Sequence, residues 1–509
     1  MFRLRLPAWV SWLAWLLAGA NVVAPENPLP IKIGLGGQLD ASAPCRDRFF
    51  EPFSSTSIWN TAIGSCAQFS PARLFGPGRE PTQFHNDHEF FLRATEADPL
   101  TDWIDQGDWG GDDHCHVTGK VVSQVRLPHN WTSSSDCGEQ SDPAKCASKP
   151  NQPGNNAMGV LLEDNETVVQ MQPAYRCAAG GPLLARFGNA TDGCPQQFPN
   201  VTSIFGDGTL GSHGGSGLSG VGGAIRVGEL LPDSGPIKHA IKIELQHRWY
   251  YGMHPLQSAS AYNGGRRQYL WPATGSDGGS NKAPGGLYGG DDPYVAPGAL
   301  LGLPAAVSAS INTSTVVGHK IKQALTDYGG YIVDDTGGGN SVAICMESQV
   351  NDEMRKIYGY AMTYPHGVSS GSADPGRALY SDLLAIFQGL HAVTNNGPSS
   401  IGGGGEPRMP RKPPICGAPP APPAPAPALP CPPAPPPRPP PPPTPAAPLC
   451  LIKISGACKK YPQMPKGQWF DDSWFGGPPA TTSSACCGTR AAGWRHDCPS
   501  CQVDCKFSP

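Results

Sequence analysis

HGGSGLSGVGGAIRVGELLPDSGPIKHAIKIELQHRWYY, residues 213–251, decides the fold class. A glycine-rich loop opens it, Ala224 to Val227 makes a short apolar strand, and a Pro-Asp-Ser-Gly turn follows. From His239 the odd positions read His239, Ile241, Ile243, Leu245, His247 and Trp249. The even positions read Ala240, Lys242, Glu244, Gln246, Arg248 and Tyr250. Period two over this length predicts a half-buried β-strand running to Trp249, with Lys242 and Glu244 on a solvated face. The glycines read as turn formers that allow positive φ. Ser216 is not a nucleophile elbow, because Leu218 stands where Gly-x-Ser-x-Gly needs glycine and a strand follows, not a helix.

Working outward, the β pattern continues on both sides. Upstream, Lys120 to Leu127 reads as a strand, and Ala157 to Glu163 with Thr167 to Gln172 reads as a hairpin. Downstream, residues 252–300 are rich in glycine and aromatics and read as an ordered loop. Helical signals come late, at Val316 to Asp327, Val350 to Tyr358 and Arg377 to Val393. The last carries Leu379, Leu383, Ile386, Phe387 and Leu390 on one stripe. The fold expected is mainly β: a sandwich or jelly-roll core with a few late helices, plus a small disulfide-rich C-terminal module.

The chain of 509 residues divides by composition. Residues 1–24 read as a signal peptide, with Arg3 and Arg5 ahead of a short apolar run and small residues at its end. Residues 25–416 form the core. Residues 417–449 are almost all proline and alanine, a stiff extended spacer of about 100 Å at full extension. Residues 450–509 hold closely spaced cysteines and too few residues for a large core, so disulfides must support them. The chain has 17 cysteines, and sequons stand at Asn130, Asn165, Asn189, Asn200 and Asn312. Both point to secretion. A net charge of −4 and an isoelectric point near 6.3 speak against a nucleic-acid partner. Nothing after the signal is long and apolar enough to cross a bilayer.

Three constellations offer chemistry. His85 and His88 form HxxH, and His114 and His116 form HxH, a candidate site for a divalent metal. On the sheet, His239, Arg226, Tyr250 and Tyr251 are the parts of a polysaccharide lyase: a base and groups that neutralise a uronate carboxylate. Gln170, Gln172, His247 and Trp271 would bind the polymer. His239 and His247, eight residues apart on one strand, lie roughly 27 Å apart, too far to serve one reaction centre. A hydrolase would instead need two carboxylates, offered by Glu229 and Glu244 or by Asp334 and Asp335. Adjacent strand residues face opposite ways, so Asp334 and Asp335 are not expected to act together. In the tail, Cys498-Pro-Ser-Cys501 reads as structural disulfide chemistry.

Several stretches carry a resemblance. They are DPLTDWIDQGDWGG with DHCHVTG, VVQMQPAYRC, GDGTLGSHGGSGLSGVGGAIRVGEL with IKHAIKIEL, YGGYIVDDTG, and LHAVTNNGPSSIGGGG. Across most of residues 45–416 the chain resembles a group of secreted proteins of bacteria and unicellular eukaryotes to which no activity attaches. The resemblance implies one secreted domain. The spacer and tail resemble volvocine algal extracellular-matrix glycoproteins, which implies a wall or matrix setting. The expectation is therefore a secreted glycoprotein that binds wall polysaccharide and, if catalytic, cleaves it, as a lyase in preference to a hydrolase. The alternative is a non-catalytic structural glycoprotein of the matrix.

Overall fold

Strand alternation, broken at two register irregularities, sets the architecture. A computed structural model describes residues 45–75, 79–106, 115–133, 156–186, 200–252, 269–276, 288–290, 292–336, 340–362 and 375–419, with short strands at 254–255, 266–267, 364–365, 449–455, 469–471 and 502–508. The signal stretch, most of the spacer, His114 and Asn189 lie outside these residues.

The strands in chain order begin with β1 (Phe69–Pro71), β2 (Gln83–Arg93), β3 (Leu100–Asp105), β4 (Lys120–Arg126), β5 (Ala157–Leu161), β6 (Thr167–Met171) and β7 (Ala174–Tyr175). Next come β8 (Leu183–Ala185), β9 (Asn200–Ser203), β10 (Leu210–His213), β11 (Ile241–Leu245), β12 (His254–Pro255) and β13 (Arg266–Arg267). Then follow β14 (Leu300–Gly302), β15 (Gly330–Asp334), β16 (Ser341–Glu347), β17 (Tyr364–Pro365) and β18 (His391–Val393). The helices are α1 (His247–Tyr250), α2 (Ala305–Ser310), α3 (Val316–Asp327), α4 (Val350–Tyr358) and α5 (Pro375–Gln388).

One mixed sheet runs β1-β18-β14-β15-β11-β16-β2-β5-β6-β9. Its centre is parallel where β11 meets β15, β16 meets β2 and β2 meets β5. One face packs Ile241, Ile243, Leu245, Ile332 and Ile344 on apolar stripes of α3, α4 and α5. Each such side chain contributes about 1.5–3 kcal/mol by leaving water. Farther along the same face, Phe90, Val160 and Met171 pack on Trp103, Val125 and Leu183 of a second sheet, ordered β4-β3-β8-β7. The core is mainly β as expected. It is sandwich-like at the β2–β6 end and helix-covered at the β14–β16 end.

Three local expectations need correction. Ala224 to Val227 forms no strand, and Ile225 makes only an isolated bridge to Met346. The strand expected to reach Trp249 stops at Leu245, and His247–Tyr250 form a helical turn capped by the Gln246 side chain. The helix expected over 377–393 ends at Gln388. The chain then turns at Gly389, and His391–Val393 pair with β1 and β14. Leu379, Leu383, Ile386, Phe387 and Leu390 are all buried in the helix-side core.

The chain divides into two units, Met1–Pro432 and Pro433–Pro509. In the second, β19 (Leu449–Ser455) pairs antiparallel with β20 (Trp469–Asp471) and with β21 (Gln502–Ser508). In the first, a disulfide joins Cys45 to Cys416 and another joins Cys115 to Cys177. Among the described residues no helix is long and apolar enough to cross a membrane.

Candidate active site

The other face of the mixed sheet holds the chemistry. On β11 it presents Lys242, which is fully buried, and Glu244, which is 5 % exposed. The solvated face expected for these two residues is therefore corrected. A lid covers it: β10 and the glycine-rich segment after it lie across the strands. Gly214 N donates to Gln172 Oε1 at 2.5 Å, and Gly220 N to Gln170 Oε1 at 2.8 Å. Lys242 N donates to the Gly223 carbonyl at 3.0 Å. Glycine is required where the lid touches the sheet: Gly214 has φ +45°, and a Cβ there would lie 1.9 Å from Asp334 Cγ.

Neighbouring strands add more polar groups to this face. Period two on β2 brings His85, Asp87 and Glu89 to it, all buried. β16 adds Cys345, which pairs in register with Asp87. β15 adds Asp334 by an irregularity. Ile243 pairs with Ile332, but Glu244 pairs with Asp334, so Val333 is an extra residue on β15. This bulge turns Asp334, which simple alternation would send to the helix side, toward the lid. There its Oδ1 accepts from Gly215 N at 3.1 Å and Asp335 N at 2.8 Å.

His213, carried in by the lid, stands at the centre. Its Nε2 lies 2.8 Å from Glu89 Oε1, 3.4 Å from Asp87 Oδ2, 3.6 Å from Cys345 Sγ and 3.7 Å from Glu244 Oε1. Lys242 Nζ is ion-paired with Glu89 and donates to the Ser219 carbonyl at 3.0 Å. Glu244 stands in hydrogen-bond contact with Asp87. Burial pushes the Asp87 carboxyl up, but its hydrogen bond to His213 and that residue's charge outweigh it, and it titrates below the usual range. Burial and Lys242 push His213 down, but Asp87 and Glu89 outweigh them and hold it above its ordinary value. Burial, with Glu244 and Glu89 close by, lifts the Cys345 thiol far above its usual range. A thiol so disfavoured as thiolate is not a nucleophile.

Two overlapping donor sets have the spacing of metal ligands: Asp87, Glu89, His213 and Cys345, and His213, Glu244 and Asp334. Of the histidines expected from sequence to hold a metal, His85 and His88 do not come together, and His114 lies outside the described residues. His85 and His88 are three residues apart on β2 and so face opposite ways, and His88 Nε2 lies 3.3 Å from Asn351 Nδ2. His116 is exposed in the β3–β4 connection, next to the disulfide-bonded Cys115.

The expected lyase set is likewise placed otherwise. Arg226 pairs with Glu347 at 3.0 Å, donates to the Phe49 carbonyl and has the rings of Phe49 and Phe91 about it, so its charge is already engaged. His239 precedes β11, with Nε2 3.0 Å from Glu229 Oε2 and Nδ1 2.9 Å from the Ala240 carbonyl. Tyr250 lies in the helix-side core and its hydroxyl donates to Asn340. The Tyr251 hydroxyl donates to the Asp334 carbonyl. Gln170 and Gln172 hold the lid with their side chains, and half-buried Trp271 packs on the lid-side core. His247 sits beyond the end of β11, where Asp335 takes its Nδ1 in an ion pair.

Of the sequons, Asn130 and Asn312 are exposed, Asn165 sits half-buried at φ +56° in the β5–β6 turn, and Asn200 lies in β9. Sequence reading missed Asp87, Glu89, Lys242, His213 and Cys345. The signal for β2 was present: alternating charged residues within a strand bounded by Phe84 and Phe90. Comparison with known proteins gives no relative: no family model, no curated protein and no solved structure matches this chain.

Proposed function

We propose that the core is a glycoside hydrolase of wall or matrix polysaccharide, with Glu244 as proton donor and Asp334 as the carboxylate that meets the anomeric carbon. The β15 bulge carries this reading, because it brings Asp334 within 4.8 Å of Glu244 at their donor atoms. Retaining hydrolysis uses carboxyls about 5–5.5 Å apart. The two also differ in environment. Glu244 is buried against the Asp87 carboxyl, and burial beside a like charge favours the protonated, donating form. Asp334 accepts two backbone N–H bonds, which suits an anion. Both stand at the carboxyl ends of the parallel strands β11 and β15, where ligands of α/β sheets bind.

Glu244 would protonate the glycosidic oxygen while Asp334 attacks the anomeric carbon. Water, deprotonated by Glu244, would then release the sugar with its configuration retained. Hydrolysis is preferred to the lyase reaction because Arg226 and His239 are already committed to Glu347 and Glu229. Secretion into a wall or matrix is supported by the Cys45–Cys416 and Cys115–Cys177 disulfides.

The test measures reducing ends released from a panel of wall polysaccharides. Glu244→Gln and Asp334→Asn should each lower the rate by about 10²–10⁴-fold with the fold intact by circular dichroism. If the wild-type protein binds a polysaccharide but releases nothing from the panel, the structural-glycoprotein reading replaces this one.

A further inference from the structure

We propose that Asp87, Glu89, His213 and Cys345 bind one divalent ion of the zinc class. The starting point is an imbalance. A single imidazole nitrogen, His213 Nε2, faces three carboxylates and a thiol within 3.7 Å. One N–H can serve only one of them well. Glu89 supplies a second, independent observation. It is 2 % exposed, yet neither of its oxygens accepts a hydrogen bond of ordinary geometry, although His213 and Lys242 lie at ion-pair distance. Lys242 compensates one carboxylate of this cluster, and a second cation would compensate the others that face His213.

The distances fit a metal better than they fit hydrogen bonds. A tetrahedron with arms of about 2.0–2.3 Å has edges of about 3.3–3.7 Å between donor atoms. From His213 Nε2, Asp87 Oδ2 is at 3.4 Å and Cys345 Sγ at 3.6 Å, and Glu89 Oε1 at 2.8 Å needs only a small outward shift. One nitrogen, one sulfur and two oxygens suit zinc, not magnesium or calcium, which prefer oxygen alone. The charges also close. Two carboxylates and a thiolate carry −3, and a dication with the Lys242 ammonium carries +3. Cys345 is the one free cysteine among the described residues. Binding would displace the thiol proton and any proton on His213 Nε2 to solvent, with no change of oxidation state.

This inference does not depend on glycan cleavage, since its readout is metal content. Untagged full-length chain, secreted from a host in zinc-containing medium, is dialysed and its zinc measured against the Cys345→Ser and Glu89→Gln variants. The wild type should hold about one zinc more per chain than either variant, so that metal on the C-terminal cysteines cancels in the difference. Cobalt exchanged into the wild type should give a thiolate-to-cobalt charge-transfer absorption that Cys345→Ser lacks. A chelator should lower the melting temperature of the wild type and leave that of Cys345→Ser unchanged. Equal metal in all three proteins, or cobalt binding without the thiolate band, would overturn the proposal. If a variant fails to fold, the cobalt spectrum and chelator response of the wild type decide alone.

Discussion

Lys242 is the residue on which the inner face of the sheet depends. Its ammonium is fully buried beside Glu89 and, among the described residues, is the lysine charge set against Asp87, Glu89, Glu244 and Asp334. Removing one partner of a buried pair strands the other. Lys242→Met should therefore destabilise the core by about 3–5 kcal/mol in urea unfolding, although methionine fits the space. Adding Glu89→Gln should recover much of that loss, the non-additivity of a direct pair. Alternation in the sequence revealed the strand and which residues share a face. It did not reveal that the polar face is covered, because the cover is residues 213–223, distant from β2 and β16 in the chain. A charged residue on an alternating strand looks the same whether it meets water or a buried partner.

At the level of elements, the bulge in β15 and the glycine-rich lid work as a pair. The bulge turns Asp334 toward the lid, Gly214 lets the lid's backbone approach it, and Gly215 N donates to it. Gly214→Ala would meet both a positive φ and the Asp334 carboxyl. The expected result is a stability loss of about 1–3 kcal/mol, read from thermal unfolding, with a much larger fractional loss of the proposed glycan cleavage. The sequence YIVDD predicted a strand and ruled out joint action of its two aspartates. Alternation holds only while the ladder is regular. Asp334 pairs with Glu244 across a bulge, and Asp335, past the strand's end, holds His247. Bulges leave little trace in a single sequence. The late helices were legible from their apolar residues, and Gly329 and Gly359 mark the ends of the first two, whereas the third was read past its end at Gly389.

For the whole core, the defining contact joins its two ends. Cys45 and Cys416 are 371 residues apart in sequence with Cα atoms 4.9 Å apart. Arg46 N donates to the Pro414 carbonyl and Cys416 N to the Arg46 carbonyl. Replacing both cysteines by serine should cost about 2–5 kcal/mol in guanidinium unfolding. The same region holds Lys412, 3.6 Å from Glu51, with burial lowering its pKa to about 8. A lysine whose folded pKa is depressed is penalised when protonated. Between about pH 8 and its ordinary value of 10.5 the unfolded chain keeps the Lys412 proton that the folded chain has lost, so the Lys412 contribution to stability should rise with pH across that window. Urea unfolding at several pH values should show the wild type gaining stability relative to Lys412→Met across it.

The closure at Cys45–Cys416 has a mechanical meaning. A tether pulled at residue 44 and another pulled at residue 417 would load the sulfur–sulfur bond and leave the sheet slack. In a single-molecule stretching experiment the oxidised core should lengthen by almost nothing before the linkage breaks. After reduction it should unravel in a long step set by the 371-residue separation. Anchored by both ends in a wall under turgor, such a domain would bear tension as a covalent link while its interior stayed at rest.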